Sequence, residues 1–237
     1  MYCILRLTSL LESQIPPARE KFSILRAMKR TTIEVGLYGV NCSILSAGAR
    51  ALVVDPGAEA ERIVALLEKK SLAPSAILLT HAHFDHIGGI PALLAKFPSI
   101  PVFVNAPDVA VLTSPFNQLP PDYPSIVRPA TLATLDARTS LPDFAPGGAF
   151  AEMQVVETPG HTPGGVCYYF PSEKLVLTGD TLFAGSVGRT DFPGGDMATL
   201  RASLPKLAAL PPETHVVPGH GPETTIAAER DGNPFLM

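Results

Sequence analysis

Seven consecutive residues, Thr80-His81-Ala82-His83-Phe84-Asp85-His86, constrain this chain more than any other feature. They crowd three imidazoles and one carboxylate behind the largely apolar run 75–80, which has the length and make-up of a buried strand. That density of donors asks for a metal ion. Nitrogen and oxygen ligands suit zinc, iron or manganese, whereas a structural zinc site would more often draw on thiolates. The fold must therefore supply a strand whose C-terminal end opens into a metal-ligand turn.

Thiolates are scarce here. Cys3, Cys42 and Cys167 are odd in number and widely spaced, so they form neither a disulfide framework nor a CxxC zinc pair, and a reducing cytoplasm fits them. A formal charge of −4 without a Lys/Arg cluster argues against nucleic acid as the main partner. A small-molecule substrate is expected instead. The apolar stretch 2–11 is interrupted by Arg6, lacks a small-residue cleavage site and is too short to span a membrane. Residues 1–30 are read as an N-terminal extension, with Met28 able to open the functional chain, and 31–237 as one catalytic domain.

Short strands are expected at 31–35, 41–46 and 51–54, separated by Gly36, Gly39 and Gly48 as in a meander with tight turns. Ile63, Leu66 and Leu67 carry the helical period through 59–70, and Pro74 ends that unit. A helix is read over 86–97, with Pro91 near its first turn where the missing N–H matters least, and a strand over 101–105. The proline-rich stretch 107–146 reads as loops and short helical pieces, forming a wall over the site. Order returns with strands at 153–157, 166–170, 174–178 and 214–217 and a helix over 197–210. Two halves, each a run of strands followed by helix and strand, imply an α/β fold: a four-layer αββα sandwich.

Further donors fall where the later strands end. His161 sits in Thr158-Pro159-Gly160-His161-Thr162-Pro163-Gly164-Gly165, Asp180 follows a strand in Leu177-Thr178-Gly179-Asp180, and His220 lies in Val217-Pro218-Gly219-His220-Gly221. Taken singly, such a histidine is more often structural than a ligand, and an aspartate in that position more often caps a turn. The joint pattern reverses that weighing. His215, inside a strand, is assigned to packing or hydrogen bonding.

With those residues in view, the sequence resembles the metallo-β-lactamase superfamily from about Thr31 to the C-terminus. The resemblance implies that His81, His83 and His161 hold one metal, that Asp85, His86 and His220 hold a second, and that Asp180 bridges both. It also implies that Asp55 orients a ligand imidazole from behind. Asn41-Cys42-Ser43, Asp180-Thr181-Leu182-Phe183 and Gly188-Arg189-Thr190-Asp191-Phe192 look like the glyoxalase II (hydroxyacylglutathione hydrolase) group. Asn233-Pro234-Phe235-Leu236 is similar to the tail of its short bacterial relatives, and the 17 residues after His220 are too few for the glutathione-gripping helical domain of the longer enzymes. Arg189 is expected to bind a substrate carboxylate, against the alternative of a surface pair with Asp191.

The expected cofactors are two divalent ions, zinc first and iron or manganese as alternatives. Two bridged cations make hydroxide available near neutral pH and polarise a carbonyl. A thioester suits them, because its thiol has an unperturbed pKa of about 8.5 and departs without a strong general acid. The expected reaction is attack of metal-bound hydroxide on an acyl-glutathione-like thioester, with Asp85 or Asp180 helping to hold the attacking oxygen. Two other readings stand beside it: an iron-dependent persulfide dioxygenase, which shares the Gly-Arg-Thr-Asp-Phe loop, and a non-catalytic protein that uses metals only to order its loops. A β-lactamase is disfavoured by Asp180, which stands where many of those enzymes have cysteine.

Overall fold

A computed structural model describes residues 28–118, 127–136 and 150–236. The extension expected at 1–30 lies almost wholly outside the described residues, as does much of the proline-rich stretch. Six strands, β1 (Lys29–Val35), β2 (Val40–Ala47), β3 (Arg50–Val54), β4 (Ala73–Leu78), β5 (Val102–Asn105) and β6 (Leu132–Leu135), form one sheet in sequence order. Its first two pairings are antiparallel and the rest parallel. The second sheet runs in the order β13, β12, β9, β8, β7, built from β7 (Gln154–Glu157), β8 (Val166–Phe170), β9 (Leu175–Gly179), β12 (His215–Pro218) and β13 (Thr224–Thr225). A separate hairpin joins β10 (Leu182–Phe183) to β11 (Ser186–Val187).

Period-two alternation sorts the apolar residues into layers. In β3, Ala51 and Val53 face the helices α1 (Ala60–Lys69) and α3 (Ile90–Lys96), while Leu52 and Val54 face the other sheet. In β8, Val166, Tyr168 and Phe170 point to that same inter-sheet core, and Cys167 and Tyr169 pack outward toward α5 (Met197–Ala208) and α6 (Ile226–Gly232). Three buried clusters therefore separate four layers, as the two-halves reading predicts. Burying each such leucine or phenylalanine contributes roughly 1.5–3 kcal/mol, so the middle cluster binds the sheets firmly together.

Two expectations are corrected. Residues 86–97 do not form one helix but two, α2 (Phe84–Ile87) and α3, separated by Gly88 and Gly89. The break arises because the Gly89 N–H bonds Pro56 O at 2.8 Å, and a Cβ at residue 89 would lie 2.7 Å from that same oxygen. Strand β6 was hidden inside the stretch read as loops, where proline-rich flanks mask a four-residue strand. Helix α4 (Val109–Leu112) and the short turns around it match the helical pieces expected there.

Candidate metal centre

All the predicted donors meet at one end of the sandwich, where strands of both sheets run out. His81, His83, Asp85 and His86 follow β4, His161 follows β7, Asp180 follows β9 and His220 follows β12. The sheets are tied at this end by the Val40–His220 bridge and by Asn41 N–H, which bonds Gly219 O at 2.8 Å. The Asn41 amide also donates to Pro218 O and Gly221 O at 3.0 and 2.9 Å, fixing the His220 loop from both sides.

Three donor groups each fit within 4.8 Å: His81, His83 and His161; Asp85, His86 and His220; and His81, His86 and Asp180. Hydrogen bonds behind the rings set their tautomers. His161 Nδ1 donates to Arg189 O at 2.6 Å, His220 Nδ1 to Tyr38 O at 2.8 Å, and His86 Nδ1 to the Asp55 carboxylate at 3.1 Å. Each bond uses the Nδ1 proton and turns Nε2 into the centre, where its lone pair is the one that a cation would take. Asp55 reaches His86 from a left-handed backbone position (φ 51°) and is itself held by Thr80 N and Oγ1 at 2.8 and 2.6 Å.

That convergence fits cations and little else. Nε2 of His81 and of His83 and Oδ1 of Asp180 are buried without a hydrogen-bond partner, the state expected of groups reserved for an ion. His161 Nε2 lies 2.8 Å from His83 Nδ1, and His86 Nε2 lies 3.3 Å from His220 Nε2. Burial holds His83 down to about 3 and His81 well below the ordinary imidazole value. Burial pulls His86 the same way, yet Asp180 and Asp85 outweigh it and hold His86 well above that value, so the carboxylates call for positive charge. Burial alone would raise the carboxyls of Asp85 and Asp180, but His86 chief among the imidazoles keeps both low and ionised.

Asp108 belongs to none of the donor motifs in the sequence. It is fully buried and accepts from Ala82 N at 3.0 Å, Thr162 Oγ1 at 2.8 Å and Gly164 N at 2.6 Å. One carboxylate thus pins the loop of His81 and His83 to the loop of His161. Asp108→Ala would strand three buried donors, each costing about 1–3 kcal/mol, so the unfolding free energy measured with denaturant is expected to fall by roughly 3–9 kcal/mol. The sequence signal was faint: a lone aspartate in a proline-rich stretch, more than 50 residues from two of its partners.

Above the donors opens a cavity of about 640 Å³. Arg189 lies on its rim, bonded to Asp191 through Nε and Nη2 at 2.7 Å each, with its guanidinium 3.8 Å from the Phe192 ring centre. Asn233 holds the hairpin that carries the lining residues Phe183, Ser186 and Val187, donating to Ser186 O at 3.0 Å and to Glu229 Oε2 at 2.7 Å, while Gly185 N donates to that same Oε2 at 2.8 Å. The Asn-Pro-Phe-Leu tail therefore holds the β10–β11 hairpin against the pocket. His215 lies apart from the donors as a hydrogen-bonded strand residue, its N–H donating to Lys174 O at 2.8 Å, and it is exposed rather than packed. Cys42 and Cys167 are buried, and burial raises both thiols, Cys167 to about 11, so neither serves as a nucleophile.

Comparison with known proteins agrees with this geometry. The family model described as "Metallo-beta-lactamase superfamily" matches residues 35–220. Hydroxyacylglutathione hydrolase GloC of Haemophilus influenzae is 35% identical over 213 residues, covering 86% of this chain and 96% of that protein. The crystal structure of the BLEG-1 B3 metallo-beta-lactamase superposes with TM-score 0.79 at 39% identity, over 88% of this chain and all of that one. TTHA1623 in a di-iron-bound form superposes with TM-score 0.77 at 38% identity, over 87% of this chain and all of that one.

Proposed function

This chain belongs to the metallo-β-lactamase superfamily, and from that premise we propose that it is a metal-dependent hydrolase of acyl-glutathione-like thioesters. The observation that carries the reading is the pair of donor groups, His81/His83/His161 and Asp85/His86/His220, with Asp180 within 3.6 Å of His86, His161 and His220. On this reading each group would hold one divalent ion, with Asp180 placed to serve both. Zinc is the first choice; iron is also supported by the di-iron form of TTHA1623. When bound, such a pair supplies a water of lowered pKa and polarises the substrate carbonyl.

The chain's own residues supply position and charge. Asp55, Arg189 O and Tyr38 O lock three imidazoles in one tautomer, so no reorganisation is needed during reaction. Asp85 and Asp180, ionised at the cavity floor, accept hydrogen bonds from the attacking water and orient it toward the acyl carbon. Breaking the C–S bond then releases a thiolate, and a thiol of ordinary pKa about 8.5 leaves without a strong acid. Arg189 keeps its Nη1 edge clear of the Asp191 pair, and this edge is assigned to a substrate carboxylate at the rim. The name of GloC supports glutathione thioesters as the substrate class.

No helix among the described residues is long and apolar enough to cross a membrane, and the sparse cysteines support a cytoplasmic setting. Metal-loaded protein is expected to release thiol from lactoylglutathione well above a His83→Ala variant. One iron per chain with oxygen uptake on glutathione persulfide, and no thiol release, would replace this reading with the dioxygenase.

A further inference from the structure

The donors form only the floor of the cavity; its walls are aromatic. On the His83 side, Phe116 and Phe192 meet edge to face at 4.8 Å, with their centres 6.1 and 5.7 Å from the His83 ring. On the other side, Phe84 meets Tyr38 edge to face at 5.5 Å, and Phe183 stands 6.2 Å from the His220 ring. Both pairs line the opening above the donors. A substrate whose reacting carbon lies over the donors must pass its remaining bulk between these walls.

Polar recognition is thin by comparison. Among the described residues lining the cavity, Arg189 is the one permanent cation, and two of its nitrogens are already committed to Asp191. Glutathione carries two carboxylates and an ammonium group, so this lining offers few partners for the peptide. Aromatic walls instead reward burial of an apolar ring, through area and through edge-to-face contact.

If the reaction is thioester hydrolysis, on which this inference rests, we propose that the pocket selects an apolar, ring-bearing acyl group of the arylacetyl kind, with Phe116 and Phe192 as the residues that set the preference. The chemistry balances with water alone. Its oxygen bonds to the acyl carbon, the C–S pair leaves on sulfur, one water proton passes to the thiolate and the other to solvent, and the products are an arylacetate and a free thiol with no change of oxidation state.

The test compares phenylacetyl and lactoyl thioesters of one thiol, glutathione, on metal-loaded protein. Phenylacetylglutathione is expected to be favoured at least about tenfold in kcat/KM, the scale on which apolar pockets discriminate. That ratio should fall toward unity in Phe116→Ala and in the milder Phe116→Leu, with metal content per chain reporting that each variant still folds. Equal or better turnover of the lactoyl thioester would overturn the aromatic preference and leave the thioesterase reading standing. Turnover of neither would overturn both. A phenylacetyl preference that persists in both variants would remove Phe116 as its source.

Discussion

Asp180→Asn is expected to lower thioester turnover by at least about a hundredfold and to leave fewer metal ions per chain than the parent, read by thiol release and elemental analysis. Asp180 is the carboxylate within reach of both donor groups: Oδ1 lies 3.3 Å from His86 Nε2, and Oδ2 lies 3.5 Å from His161 Nε2 and 3.6 Å from His220 Nε2. Asparagine keeps the shape, so no cavity opens and the fold has no steric reason to move. What disappears is the charge. The amide can turn only one oxygen toward the cluster, and its NH2 end would face a bound cation or an imidazole. The remaining carboxylate, Asp85, sits beside His220 and leaves the His161 side without an anion. Retention of full activity and both ions by this variant would remove Asp180 from its assigned role.

The donors were legible in the sequence because rare residue types recur at turn positions with fixed short spacing. His81-x-His83-x-Asp85-His86 announces itself, and the glycine-flanked His161 and His220 gain meaning beside it. The strands were legible for a related reason: alternation and glycine turns are local signals, and β1 to β5 and β7 to β9 fall within a few residues of the expected bounds. What stayed hidden depends on distance along the chain. Asp108 acts on Thr162 and Gly164, 54 and 56 residues away, and no periodicity reports such a contact. Arg189 illustrates the same limit. Its side chain drew attention as a cation in a marked loop, yet its backbone carbonyl is the atom that fixes His161. The split of α2 from α3 was hidden because it follows from Pro56 O, a group from a preceding loop.

Gly219 carries the second large expectation, and it concerns space alone. Its N–H bonds Gly179 O and its carbonyl accepts from Asn41, both at 2.8 Å, so the backbone beside His220 is held on two sides. A Cβ added there would fall 2.2 Å from Asp180 Oδ1 and 2.8 Å from His86 Cε1. Neither neighbour can yield cheaply, because His86 is anchored to Asp55 and Asp180 faces three imidazoles. Gly219→Ala must therefore displace the carboxylate or drag the end of β12 outward, and either movement separates His220 from Asp85 and His86. Activity should fall at least as far as in Asp180→Asn, with a matching loss of metal. Gly221→Ala gives the contrast from two residues away. Its added Cβ would meet nothing within 4 Å, but its φ of 73° is left-handed, which costs an alanine about 1–2 kcal/mol. That variant should lose some thermal stability and keep its metal. If Gly219→Ala binds both ions normally, the approach of Gly219 to Asp180 and His86 does not govern the centre.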